Sequence, residues 1–136
     1  MAVKLVLDTS AYSAFNRGDD RLRAWFTAEN DIAVPIIVVA ELRAGFAAGH
    51  QTARNEALLQ RFLDSPNVTT ISLTDKTTKL FAAIYLQLRQ AGQLIGTNDM
   101  WIAALAMEHD QLLLTLDSDF DRVEGLKLAL AGNSIT

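Results

Sequence analysis

Short apolar runs alternate along this chain with longer stretches in which apolar residues recur every three or four positions. Val3 to Leu7 is rich in Val and Leu, carries one Lys and stops at Asp8. Ile32-Ala33-Val34, Val68 to Ile71 and Leu112 to Thr115 are similar runs, and Leu126 to Leu130 reads as a last edge strand. Runs this short and this apolar predict strands buried on both faces. Between them the spacing predicts helices over Thr9 to Phe15, Asp20 to Glu29, Ile36 to Ala48 and Thr52 to Leu63. Pro35 suits the first turn of the third of these. Thr74 caps a longer helix reaching Gln90, with Leu80, Ile84 and Leu88 on one stripe. Thr97 or Asn98 caps a last helix to about His109, with Ile102, Leu105 and Ala106 facing inward. Ser65-Pro66-Asn67 is a turn, and Gly92 and Gly96 bound a loop.

Strands alternating with helices predict an α/β fold around a short central, mainly parallel sheet. Ligands of such sheets sit beyond the carboxyl ends of the strands, which is where chemistry is to be sought. No repeat, low-complexity run or linker breaks the pattern, so residues 1–136 read as a single domain.

Composition narrows the classes. Half of the 136 residues are hydrophobic and 21% are charged, which excludes a disordered or collagen-like chain. The absence of Cys excludes disulfides, thiolate zinc sites and thiol nucleophiles. The longest apolar stretch, Ile32 to Ala40, is broken by Pro35 and falls far short of the ~20 residues that span a bilayer. Met1 to Asp8 lacks the layout of a signal peptide. The expectation is a soluble cytoplasmic protein with no membrane association. Twelve basic residues against 16 acidic ones leave a formal charge of −4. That argues against a general nucleic-acid coat protein, which relies on neutralising phosphates. It leaves room for a nuclease whose acids gather around cations.

Four acids stand out. Asp8 follows the first strand directly, and Asp117 follows Thr115 by two residues, so both fall beyond the carboxyl edge of a parallel sheet. Asp99 lies in the first turn of its helix. Glu41 interrupts the apolar stretch Ile36 to Leu42, where a charge is costly unless paired or coordinated. Each alone has an ordinary explanation. Asp8 reads as an N-cap, Asp99 as a helix-dipole residue, Glu41 as a partner of Arg43 or another Arg, and Asp117 as a turn residue in Asp117-Ser118-Asp119. In one pocket the four repel each other and do not all ionise unaided. Hard oxygen sets of this kind suit Mg²⁺ or Mn²⁺, and paired metals held by carboxylates are a standard solution for phosphodiester cleavage.

Asp8-Thr9-Ser10, Val39-Ala40-Glu41-Leu42, the segment Thr97 to Ala104 (TNDMWIAA) and the segment Thr115 to Phe120 (TLDSDF) occur in this order over nearly the whole chain. Together they resemble the four motifs of PIN-domain ribonucleases. The short chain with no appended domain is most similar to the VapC-type toxins of VapBC toxin–antitoxin systems. The resemblance implies a PIN-like three-layer α/β/α sandwich and a metal-dependent endoribonuclease that hydrolyses RNA with metal-activated water. It assigns Asp8, Glu41, Asp99 and Asp117 as catalytic and metal-holding acids with Mg²⁺ or Mn²⁺ as cofactor. Thr9, Ser10 and Thr115 match hydroxyl positions beside the site, and Asp119 is a fifth acid able to share the role of Asp117. It also implies a homodimer and a VapB-type antitoxin that fills the active-site groove, giving a toxin–antitoxin hetero-oligomer.

Arg17 and Arg43 are candidate contacts for RNA phosphate, as are Arg21 and Arg23, although solvated surface charge is the plainer reading of each. Trp25 is a candidate for base stacking. Trp101, Tyr12, Phe15 and Phe46 read as core or partner surface. His50 and His109 lie outside the motifs. Two other classes compete. A Mg-dependent phosphotransfer domain wants paired acids before its phosphorylated strand or Asp-x-Asp after the first strand, and Asp8-Thr9-Ser10 supplies neither. A catalytically inactive PIN-like module that binds RNA or protein is expected to lack site carboxylates, and all four are present.

Overall fold

The computed structural model describes residues 2–130. The one-domain reading over 1–136 therefore includes residues 1 and 131–136, which lie outside the described part. In chain order the elements are β1 (Lys4–Leu7), α1 (Thr9–Asn16), α2 (Asp20–Arg23), β2 (Asp31–Pro35), α3 (Ile36–Ala48), α4 (Thr52–Leu63), β3 (Val68–Ile71), α5 (Asp75–Gln90), α6 (Thr97–Glu108) and β4 (Leu112–Leu114). A 3₁₀ turn (Ser118–Arg122) and β5 (Leu128–Ala129) follow.

The strands form one sheet in the order β3-β2-β1-β4-β5, and every pairing is parallel. Leu5, Val6 and Leu7 of the central strand are all fully buried. Successive strand residues point to opposite faces, so both faces of the sheet are covered by helices, as the apolar runs require. The result is the expected α/β/α sandwich. From β1 the chain builds outward through β2 to β3, then returns to the other side of β1 for β4 and β5. The loops leaving β1 and β4 therefore diverge at their carboxyl ends, and a crevice opens there.

Most of the expected elements form, with differences that have physical causes. The helix expected over Asp20 to Glu29 stops at Arg23. Side-chain amides, one local and one distant, capture the carbonyls that a longer helix would use. Asn30 Nδ2 donates to the Trp25 carbonyl at 2.9 Å, and Asn67 Nδ2 donates to the Thr27 and Asn30 carbonyls at 3.1 and 2.8 Å. Asn30 Oδ1 accepts from Val3 N–H at 3.0 Å, which anchors this loop to the start of the sheet. Phe26 stacks on Phe15, with ring centroids 4.0 Å apart. Pro35 ends β2 and caps α3 instead of opening the helix. Gly96, not Thr97 or Asn98, is the N-cap of α6. The segment after Asp117 winds into a 3₁₀ turn because Phe120 is fully buried in the core.

Thr74 caps α5 as expected, in a reciprocal capping box with Thr77. Tyr12 is core, packed on Phe62, and Phe15 and Phe46 pack against the same core. Trp25 also packs against it, and Trp101 stacks on Phe81 at 4.1 Å. His50 and His109 are exposed at helix ends. Among the described residues no helix is long and apolar enough to cross a membrane.

Leu113 lies fully buried in β4, the strand that carries the Thr115 and Asp117 loop. Leu113→Ala is expected to lower unfolding free energy by about 2–5 kcal/mol. Urea denaturation measures this, and a loss below about 0.5 kcal/mol would contradict the packing described.

Candidate active site

The crevice between β1 and β4 is built first by hydroxyls. β1 delivers Asp8 at its exit, and the Asp8 backbone N–H donates to the Leu114 carbonyl at 3.0 Å. Asp8 occupies the N-cap position of α1 but makes no side-chain cap there. Its Oδ2 instead accepts from Ser10 Oγ and Thr115 Oγ1, both at 2.7 Å. Ser10 Oγ accepts from Leu116 N–H, and Thr115 Oγ1 accepts from Asp117 N–H, each at 3.0 Å. Asp8 is only 4% exposed, and this pair of hydroxyls ties it to the loop after β4. Burial raises its pKa, the hydroxyls and the Thr9 N–H work against that, and Glu41 adds a smaller upward push.

The loop after β4 supplies two acids. Asp117 caps the 3₁₀ turn by accepting from Asp119 N–H at 2.9 Å, so the turn reading of Asp117-Ser118-Asp119 holds in detail. Asp99 enters from the first turn of α6. Asp99, Asp117 and Asp119 each offer a carboxylate oxygen, and these atoms lie within 4.8 Å of one another. Asp119, a fifth choice from the sequence, thus stands inside the tightest cluster. Burial first, then the charges of Asp8, Asp117, Glu41 and Asp119, push Asp99 up to about 7. All four other acids therefore act on this one carboxyl group.

Glu41 projects from α3 at the rim of that helix's buried face. The pairing with Arg43, the alternative reading, does not form. Thr9 Oγ1 donates to Glu41 Oε1 at 2.7 Å, and Asn98 Nδ2 donates to Oε2 at 3.3 Å. Arg43, two residues on and so on another face of α3, instead reaches Glu56 of α4 at 3.4 Å. Arg17 is exposed beyond the last turn of α1, the end remote from Asp8. A cleft of about 330 Å³ is lined by Glu41, Gly96, Thr97, Asn98 and Asp99.

Two residues near the acids were not site candidates in the sequence, although Asn98 lies in one of the motifs. Asn98 stands beside Asp99 and reaches Glu41. Arg122 lies three positions after Asp119, which places them together on a 3₁₀ turn, and its Nη2 is 3.4 Å from Asp119 Oδ1. The i,i+3 spacing is a usable signal only once the 3₁₀ turn is known.

The donor set consists of carboxylate oxygens that crowd one another, with no imidazole or thiolate in the cluster. Such a set fits a hard divalent cation, whose charge relieves the repulsion that lifts Asp99.

Comparison with known proteins gives the family. The family model described as PIN domain matches residues 5–126. The chain belongs to the PIN-domain family. Within it the similarity is to VapC proteins. Ribonuclease VapC5 of Mycobacterium tuberculosis is 28% identical over 120 residues, covering 88% of this chain and 87% of that protein. Ribonuclease VapC2 of Rickettsia felis is 32% identical over 100 residues, 73% of each chain. Among solved structures, the crystal structure of VapBC2 from Rickettsia felis bound to a DNA fragment from their promoter superposes with a TM-score of 0.81 at 28% identity. That match covers 93% of this chain and 97% of the other.

A carboxyl whose pKa is raised by folding contributes stability below its unfolded pKa and loses it as pH climbs through the folded value. For Asp99 that window runs from roughly pH 4, the ordinary Asp range, up to about 7. Without divalent ions, the wild-type PIN domain is expected to lose thermal stability relative to Asp99→Asn across this window. Melting curves in EDTA from pH 4.5 to 8 check this, and parallel pH profiles for the two proteins would contradict it.

Proposed function

We propose that this PIN-domain chain is a divalent-metal-dependent endoribonuclease acting in the cytoplasm as the VapC-type toxin of a toxin–antitoxin pair. The observation that carries the reading is the gathering of Asp99, Asp117 and Asp119 at one crevice, with Asp8 and Glu41 close enough to act on Asp99. In this reading Asp8, Glu41, Asp99 and Asp117 are the catalytic and metal-holding acids, and Asp119 joins them. The cofactor is Mg²⁺ or Mn²⁺. When bound, the ion supplies Lewis acidity toward a phosphodiester and lowers the pKa of water.

The chain's own residues do the positioning. Ser10 and Thr115 hold Asp8 by one oxygen and leave the other free of these bonds. Thr9 and Asn98 orient the Glu41 carboxylate, one on each oxygen. The cleft beside Glu41 and Asp99 is open to a chain-like substrate. Arg17 and Arg43 are proposed as outer contacts to the RNA backbone, Arg43 after release from Glu56.

The partner proposal follows the relatives. A VapB-type antitoxin in a toxin–antitoxin hetero-oligomer is supported by the 28% identity and 0.81 TM-score to VapBC2 of Rickettsia felis, and the homodimer is what the family resemblance implies.

Two measurements test the enzyme reading. EDTA is expected to stop cleavage of labelled RNA, and added Mg²⁺ or Mn²⁺ to restore it. Activity resistant to chelation would contradict metal dependence. Asp99→Asn is expected to abolish cleavage while melting at least as high as wild type without metal. Retained cleavage would remove Asp99 from the site.

A further inference from the structure

The carboxylate cluster poses a difficulty for any phosphate-bearing substrate. RNA must bring its negative backbone to a crevice shaped by Asp8, Glu41, Asp99, Asp117 and Asp119. Among the described residues, the cation that pairs with the tight cluster is Arg122. Its Nη2 lies 3.4 Å from Asp119 Oδ1, and its Nη1 donates to the Leu94 carbonyl at 3.4 Å. Both distances exceed the usual ~2.7–2.9 Å of a charge-assisted hydrogen bond. The side chain also stays 41% exposed. A guanidinium offers five N–H donors, so most of its capacity is unspent.

The backbone of Arg122 is held more firmly than its head. Gln87 Nε2, from α5, donates to the Arg122 carbonyl at 3.0 Å, and Gln87 Oε1 accepts from Glu124 N–H at 3.1 Å. One amide thus clips the end of the 3₁₀ turn to α5. Two other basic side chains have acidic partners outside the cluster. Arg43 is on Glu56, and Lys127 is on Asp110, in the turn before β4.

We propose that Arg122 is a substrate-binding residue that contacts a phosphate of the RNA backbone at the rim of the acidic crevice. Asp119 and the Leu94 carbonyl park the guanidinium there between substrates. Gln87 is the positioning residue that fixes its starting point. The planar fork suits two phosphate oxygens at once, and leaving for phosphate breaks one weak ion pair and one long hydrogen bond. This rests on the ribonuclease reading above and names a residue that grips its substrate.

The test uses the full chain carrying Asp99→Asn, so that RNA is bound but not cut, with a fluorescent pool of random-sequence single-stranded RNA 20-mers. Binding is measured by anisotropy across a salt series. Adding Arg122→Gln is expected to weaken binding several-fold at low salt. It is also expected to reduce the slope of log affinity against log salt by about 0.7, one phosphate contact on a single strand. Arg122→Lys is expected to recover the slope but only part of the affinity, because Lys lacks the fork. Arg61→Gln, on α4, serves as the control and is expected to change neither. Melting curves accompany each variant, and a purely structural role would lower the melting temperature of Arg122→Gln while leaving the slope of its folded fraction intact. Unchanged affinity and slope in Arg122→Gln, with the parent binding RNA, would overturn this proposal alone. A parent that binds no RNA, together with a wild-type chain that cuts none, would overturn the ribonuclease reading and the Arg122 role with it.

Discussion

Like charges held close together in a half-dry crevice cost free energy, and this fold is arranged around that cost. Asp99, Asp117 and Asp119 place oxygens within 4.8 Å of one another, and Asp8 and Glu41 add to the repulsion felt by Asp99. Nothing in packing favours such a cluster. It is imposed by covalent and hydrogen-bonded constraints from elements that are stable for other reasons. β1 is wholly apolar where it is buried, and it ends at Asp8. β4 ends at Leu114, three residues before Asp117, which caps the 3₁₀ turn. α6 buries Met100 and the run Ile102 to Ala106, which leaves Asp99 facing the crevice from its first turn. The core fixes the acids, and the acids retain a repulsion that a cation can relieve.

The hydroxyls explain how the crevice keeps its shape while charged. Ser10 and Thr115 each bond both to Asp8 and to a backbone N–H of the loop after β4. They join the exits of two neighbouring strands through a carboxylate that would otherwise be an unsatisfied buried charge. Thr9, between Asp8 and Ser10 in the chain, donates to Glu41 of α3 instead. The tripeptide Asp8-Thr9-Ser10 therefore serves two carboxylates: Ser10 holds Asp8, and Thr9 holds Glu41.

Much of this was legible in the sequence. The apolar runs located the parallel strands, and the rule that chemistry lies beyond their carboxyl ends located Asp8 and Asp117. Glu41 stood out because its neighbours are apolar. What stayed hidden depended on contacts between distant residues. α2 ends early because the nearby Asn30 and the distant Asn67 take the Trp25 and Thr27 carbonyls that a longer helix would use. Asp119 ranked behind Asp117 because only the 3₁₀ turn swings it back toward Asp99. The same turn brings Arg122 beside Asp119, while Arg43, adjacent to the site in sequence, faces Glu56 on α4.

Crystals of the chain grown with Mn²⁺ and measured for anomalous scattering test the central claim most directly. The account predicts an anomalous peak bounded by the carboxylates of Asp99, Asp117 and Asp119, absent from crystals of Asp99→Asn. A fully occupied peak elsewhere on the molecule, with none among these three side chains, would contradict it.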